Sequence, residues 1–424
     1  MGPAWRPGGD SITTIADLQN IVPPARWHKE GLDSAFCFTP RQFGTLLLFM
    51  RLEPFAMERY QSIWEHQVAW NLSESGVEPL RLEELALDEQ DRDALLRQPL
   101  AYTQTNGTVE LRRLIADLYP GTGAQDIQVT NGGSEANFVT LVHLVQPGDD
   151  VVMMTPNYMQ APGLARALGA TVLEWPLRRN ADRTRWEPDF DALEGLVSEK
   201  TKVIFLCTPN NPTGGRLTAG ELDRVGAIAA RTGAWVVSDE IYRGAELDAV
   251  ESAGMWGRSD RVIVTCGLSK AYGLPGLRIG WIVAPATTID ALWAVHDYTT
   301  IAPGALNDRL ARIALSPAGR ARLLARTRGI IRANYPILRS WLDKRKAFSH
   351  VAPEAGAIAF VKYAHRINST ALVERLRTEQ SVLVVPGDHF AMDGYLRLGF
   401  GLHPEHLIGA LDRIGDLVDA LAPS

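Results

Sequence analysis

Between about residues 100 and 285, short apolar runs alternate with stretches of helical period. The runs cover 127–130, 150–154, 171–175, 203–207, 235–238, 262–266 and 279–283. Several are apolar or β-branched at every position, as in Val203-Ile204-Phe205-Leu206-Cys207 and Val262-Ile263-Val264-Thr265-Cys266. A strand covered by helices on both faces needs such residues throughout, whereas a half-exposed strand alternates. The pattern therefore predicts an α/β fold with a doubly wound, mostly parallel sheet. Ahead of this region, 53–67 has a helical period and Asn71 to Pro79 reads as a loop. Beyond about 305 the helices lengthen and strands become sparse. The chain closes with a helix opened by Pro404, in which Leu407, Leu411, Ile414, Val418 and Leu421 form one apolar stripe. That shift predicts a second, smaller α+β domain. The first 52 residues are turn-rich without a sustained period and form an N-terminal extension to which the sequence assigns no function.

The 424 residues include 43 Lys and Arg against 49 Asp and Glu, a net charge of −6, with 46% apolar and 22% charged positions. No block of like charge marks a nucleic-acid or anionic-membrane surface, so neither partner is expected. The apolar stretch at 43–50 falls far short of the roughly 18 residues a membrane helix requires, and no signal peptide is read. Cys37, Cys207 and Cys266 share no ligand spacing. Their odd number, and the apolar runs around two of them, suit buried thiols in a reducing cytoplasm.

Three of the buried runs lead directly into polar residues: Cys207 into Thr208-Pro209-Asn210-Asn211, Val237 into Ser238-Asp239, and Cys266 into Gly267-Leu268-Ser269-Lys270. Ligands of open α/β sheets bind outside the carboxyl ends of the strands, so an amide, a carboxylate and an amine brought to one edge form a candidate active site. A single polar residue closing a strand is more often a turn or helix cap. After the run ending at Thr130, Gly132-Gly133-Ser134-Glu135-Ala136 opens a helical stretch. Small residues and free N–H groups at a helix start favour phosphate, while a plain cap by Ser134 would explain the same residues. No Walker A or strand-borne GxGxxG motif is present, which argues against nucleoside triphosphates and NAD.

Together, Thr130-Asn131-Gly132-Gly133-Ser134-Glu135-Ala136, Pro209-Asn210-Asn211-Pro212-Thr213-Gly214, Ser238-Asp239-Glu240-Ile241-Tyr242 and Ser269-Lys270-Ala271-Tyr272-Gly273-Leu274-Pro275-Gly276-Leu277-Arg278-Ile279-Gly280 resemble the motif series of class I/II aminotransferases, pyridoxal 5′-phosphate (PLP) enzymes of fold type I. The resemblance covers about residues 70 to 420. It implies a large PLP-binding domain (86–305) with a seven-stranded sheet, a small domain made from both chain ends (53–85 and 306–424), and a homodimer with sites at the subunit boundary. It also implies an amino acid and a keto acid as the small-molecule partners.

Residue by residue, the resemblance makes Lys270 the Schiff-base lysine that later moves the substrate Cα proton, and Asp239 the anion that keeps the pyridine nitrogen protonated. Asn211 and Tyr242 match the pair that bonds the ring oxygen. Arg278 matches the phosphate-clamping arginine, with Gly133, Ser134 and Ser269 in the phosphate cup. Tyr158 stands where the family stacks an aromatic ring on the pyridine. Tyr102 resembles the tyrosine that reaches the neighbouring subunit's phosphate. Arg397 matches the arginine that grips the substrate α-carboxylate, with Gly76 and Asn211 beside the substrate. No second arginine matches the one used for acidic side chains, which disfavours an aspartate-type preference.

The chain departs from the family at Gly267, where a phosphate-binding Ser or Thr is common. The Gly267-Leu268-Ser269-Lys270-Ala271-Tyr272-Gly273 form, with Leu72-Ser73-Glu74-Ser75-Gly76, resembles a subgroup near capreomycidine synthase, which eliminates and cyclises a hydroxylated arginine. The expected activity is transamination, with elimination and cyclisation as the alternative. A non-catalytic PLP-binding regulatory module is the rival from another class. Against it, the extension before residue 53 is short, no helix-turn-helix pattern or basic patch is present, and every chemical position is filled. His403 and His406, three apart at a helix start with no third ligand, read as surface residues, and no metal is expected.

Overall fold

All seven apolar runs become strands of one sheet in a computed structural model that describes residues 50–85, 88–248 and 250–421. Across the sheet the order is Ile127–Thr130, Gly280–Val283, Val262–Gly267, Trp235–Asp239, Thr201–Cys207, Asp150–Thr155, Thr171–Arg179 and Trp186–Pro188. Gly280–Val283 is antiparallel to both neighbours, and the remaining six expected strands run parallel to one another. Trp186–Pro188 corrects the expected count from seven to eight. It is a three-residue antiparallel strand at the sheet edge, where a proline without an N–H is tolerated.

Burial on both faces follows the alternation of side chains. Val203 and Phe205 enter one core with Val151, Met153, Val237 and Ile263, whereas Ile204 and Leu206 enter the other with Val152, Met154, Val236 and Val264. Full burial of such a side chain contributes about 1.5–3 kcal/mol, and a one-residue slip would exchange the faces of a whole strand, so the register is strongly specified. Cys207, Asp239 and Thr265 are register partners across three neighbouring strands, which brings their polar continuations to one edge. Thr171–Arg179 is the exception: much of it is half-exposed, because only a short strand flanks it on the outer side.

A second core forms around the antiparallel sheet Phe348–His350, Ile358–Tyr363, Tyr395–Gly399 and Val385–Pro386 and the helices Pro317–Asp343, Ser369–Gln380 and Pro404–Asp419. The last helix buries Leu407, Leu411, Ile414 and Val418 as one stripe, and Leu421 follows its end. An early part of the chain joins this core: Trp70–Asn71 pairs in parallel with Val382–Leu383, and Leu72 and Val77 are buried beside it. Met57, on helix Ala56–Trp64, packs into the larger core instead. Of the N-terminal extension, residues 1–49, with Cys37, lie outside the described residues.

Candidate active site

A cavity of about 510 Å³ opens at the carboxyl edge of the large sheet. Gly133, Ser134, Tyr158, Asn211, Asp239, Tyr242, Ser269, Lys270, Arg278 and Arg397 all line it. Two expected residues do not. Gly76 stands behind Lys270, where an added Cβ would lie 3.6 Å from the lysine Cδ. Tyr102 is 84% exposed and lines a separate shallow depression with Leu100 and residues 302–307.

Asp239 closes its strand with a buried carboxylate, and burial pushes its carboxyl upward in pKa. Its Oδ2 accepts from Asn137 Nδ2 at 2.9 Å and its Oδ1 from the Ile241 N–H at 3.1 Å. Asn137 is fixed in turn by Thr265, whose hydroxyl donates to the Asn137 amide oxygen at 2.7 Å. Among the described residues no cation pairs with Asp239, so this buried acid suits a protonated ring nitrogen.

The helix Gly133–Leu144 starts at Gly133, with Gly132 as its cap, rather than being capped by Ser134. Gly132 has φ 96° and no side chain to occupy the first N–H groups. A Cβ at Gly132 would fall on the Arg278 guanidinium, so this glycine allows the arginine to lie directly against the helix start. Arg278 is held in a left-handed conformation and donates through Nη1 to the Pro275 carbonyl at 3.1 Å. Free N–H groups with a guanidinium beside them make an anion cradle. Its floor explains Gly267: a Cβ there would lie 2.8 Å from the Ile279 carbonyl oxygen and 3.1 Å from Gly280 Cα, which leaves no room for a hydroxyl-bearing side chain.

The loop before the cradle is anchored from behind. Glu135 accepts from the Asn131 N–H and the Thr300 hydroxyl, and its carboxylate lies 3.4 Å from buried His296 Nε2. Burial alone would raise the Glu135 carboxyl, but hydrogen bonds from His296, Thr299, the Asn131 N–H and Thr300 outweigh it and hold the group at about 2.

Arg397 lies in the middle of Tyr395–Gly399 and is only 1% exposed. Nη1 donates to Asn211 Oδ1 at 2.9 Å and Nη2 to the Ser73 carbonyl, while buried Nε has no partner among the described residues. Leaving such a donor unpaired costs about 1–3 kcal/mol, and a carboxylate entering the cavity would relieve it. Burial pulls the guanidinium down from its usual value and pushes the Tyr242 hydroxyl up. Tyr158 meets Phe55 edge-on at 4.9 Å, and its hydroxyl donates to Glu58 at 2.8 Å.

The sequence reading passed over Asn137, Glu135, Glu58 and Glu74. Asn137 lies one helical turn beyond Gly133, on the same helix face as the cradle, and that spacing was a usable signal. Glu74, 3.4 Å from Lys270 Nζ, comes from a loop with no period to mark it. His406 is no surface residue: its Nε2 accepts from the Asn71 N–H at 3.1 Å and its ring packs on Trp70. Among the described residues no group of three or more potential metal ligands is found, and no helix is long and apolar enough to cross a membrane.

This geometry belongs to a known family. Residues 71–414 match the family model described as aminotransferase class I and II. The chain is 32% identical over 370 residues to capreomycidine synthase of Streptomyces vinaceus, covering 86% of this chain and 92% of that protein. A PLP-dependent aminotransferase from Streptococcus suis superposes with a TM-score of 0.83 at 31% identity, over 88% of this chain and all of the other. The PLP-dependent cyclase OrfR gives 0.79 at 28% identity, over 88% of this chain and 98% of that one. The chain belongs to the class I and II aminotransferase family, with the fold type I architecture, and its cofactor is PLP.

Proposed function

We propose that the protein is an aminotransferase acting on an α-amino acid. The observation that carries this reading is that one cavity collects the Lys270 amine, the buried Asp239 carboxylate and the buried Arg397 guanidinium, with no cation at Asp239 and no partner at Arg397 Nε among the described residues. PLP, when bound, supplies the electron sink that makes an amino-acid Cα–H acidic. The Gly133–Ser134 helix start and Arg278 would hold its phosphate, Asp239 its ring nitrogen, Asn211 and Tyr242 its ring oxygen, and Tyr158 its face. Arg397 takes the α-carboxylate in a forked pair that also satisfies Nε. Lys270 Nζ then removes the proton from Cα, and transamination requires the same nitrogen to deliver it to the cofactor's ring-side carbon, two bonds away across the amino nitrogen.

A lyase or cyclase would use the same residues up to proton removal, and the similarity to capreomycidine synthase and to a PLP-dependent cyclase supports that second reading. One experiment separates them. With amino acid alone, an aminotransferase stalls after one turnover and resumes on addition of a keto acid, whereas a lyase releases ammonia or a cyclised product without any acceptor. Failure of both with a broad donor panel would leave only a binding role.

A second copy of the chain completes the reading. Leu100 and Tyr102, each 84% exposed, share an apolar depression with Leu306 that a monomer would leave wet. Mixing a Tyr102→Ala chain with a Lys270→Ala chain should restore part of the activity if Tyr102 serves the partner's site. The free, buried thiols of Cys207 and Cys266 support a cytoplasmic setting.

A further inference from the structure

Resting on that reading, we propose that Glu74 is a positioning residue for Lys270, holding the lysine nitrogen turned toward the substrate side of the cavity. A lysine has a flexible four-carbon stem and loses about 2 kcal/mol of rotamer freedom when fixed. A base must nevertheless come within about 2.6–3.2 Å of the proton it takes. The 72–76 loop meets this requirement at two points. Gly76 backs the stem near Cδ, and the Glu74 carboxylate meets Nζ at 3.4 Å.

The loop is rigid where this matters. The Gly399 N–H donates to the Leu72 carbonyl at 2.7 Å and the Leu72 N–H to the Leu383 carbonyl at 2.8 Å. A Cβ at Gly399 would overlap the Glu74 carbonyl, and one at Gly401 that of Gly76, so the loop lies directly on the backbone that follows Arg397. Arg397 itself donates to the Ser73 carbonyl. One short segment therefore touches the arginine for the carboxylate and the lysine for the Cα proton.

The other ionisable groups lining the cavity are engaged elsewhere. Asp239 accepts from Asn137, Glu58 from the Tyr158 hydroxyl, Glu65 lies against His66, Arg278 donates to Pro275, and Arg397 to Asn211. Tyr242 has its hydroxyl held in the neutral form by burial. Among the described residues, Lys270 and Glu74 are each other's only ion-pair partner. The Lys270 charge, supported by Arg397, outweighs the upward push of burial and keeps the Glu74 carboxyl below its usual range, so Glu74 is an anion at neutral pH.

The test compares Glu74→Gln and Glu74→Asp with the parent as reconstituted holoproteins. In the Gln variant the pH midpoint of the cofactor's visible absorbance should fall by at least one unit, because the anion beside the nitrogen is gone. Its kcat should drop tenfold or more, with an enlarged isotope effect for Cα-deuterated substrate, while KM and PLP affinity stay within threefold. The Asp variant should recover part of both changes. An unchanged absorbance midpoint with kcat within twofold of the parent overturns the proposal. So does an equal loss of PLP and melting temperature in both variants, which would mean that Glu74 only packs the loop. If Lys270→Ala keeps its turnover, the lysine is not the base and the proposed function itself is wrong; if only the Glu74 variants are silent, that function stands without this inference.

Discussion

The two walls of the active-site cavity are assembled on opposite principles. The wall proposed to hold the cofactor comes from strand ends and turns between residues 133 and 278, which deliver polar groups to a sheet edge whose register is set by apolar burial. The wall proposed to face the substrate is gathered from the two ends of the described chain: helix Ala56–Trp64, the 72–76 loop and Arg397 on Tyr395–Gly399. The cofactor wall inherits the rigidity of the sheet. The substrate wall depends on contacts between segments more than 300 residues apart, such as Arg397 to Ser73. On the proposed roles, such a division would let substrate preference change without disturbing the residues that hold PLP.

The most severe break falls on the cofactor wall. Lys270→Ala should remove borohydride-fixable cofactor from this peptide and lower turnover by at least about 10³, within the range for loss of a general base; a label recovered on another lysine would refute the assignment. Asp239→Ala should still take up PLP but lose more than about tenfold in kcat, or 1.4 kcal/mol. A smaller loss would deny Asp239 its role at the ring nitrogen.

The contrast between the walls is sharpest in a pair of arginines. Arg397→Lys should weaken amino-acid binding by about 1.5–3 kcal/mol, the scale of a charged hydrogen bond, with PLP retention unchanged in equilibrium dialysis. Arg278→Lys should release PLP first and affect substrate only through that loss. The reverse pattern would exchange the two assignments. Gly267→Ser tests the floor of the cradle: its side chain meets main-chain atoms at 2.8 and 3.1 Å, so thermal unfolding should show a loss of about 1–3 kcal/mol, the usual cost of overpacking, with no gain in PLP affinity.

The smallest effect is expected behind the cup. Glu135 is held at about 2, below its unfolded 4.5, so its contribution to stability is complete above about pH 4.5 and is lost as pH falls toward 2. Glu135→Gln should therefore melt lower than the parent at pH 7, and the difference should shrink in scans taken toward pH 3.

Legibility in the sequence followed the same division. Asp239, Lys270 and Arg278 stand in contiguous motifs because the chain that builds the strand also builds the turn beyond it, and all seven main strands were marked by short, largely apolar runs. Trp186–Pro188 escaped because three residues carry no period. Glu58 and Glu74 escaped for a different reason: their significance lies in Tyr158 and Lys270, 100 and 196 residues away, and local pattern holds no record of such distances. Asn137 stands in a largely apolar helix, one turn beyond Gly133, and it sets the orientation of Asp239; only that one-turn spacing marked it.

On the proposed role of Arg397, its buried Nε–H, unpaired among the described residues, gives the protein a thermal signature. Because a carboxylate that fills the cavity satisfies a donor the protein alone leaves wanting, even unreactive acids that fit there act as stabilisers. By mass action, one present at a hundred times its Kd raises stability by about 2.7 kcal/mol. A collection of small carboxylic acids ranked by the melting temperature they confer would thus trace the shape of the substrate before any turnover is known.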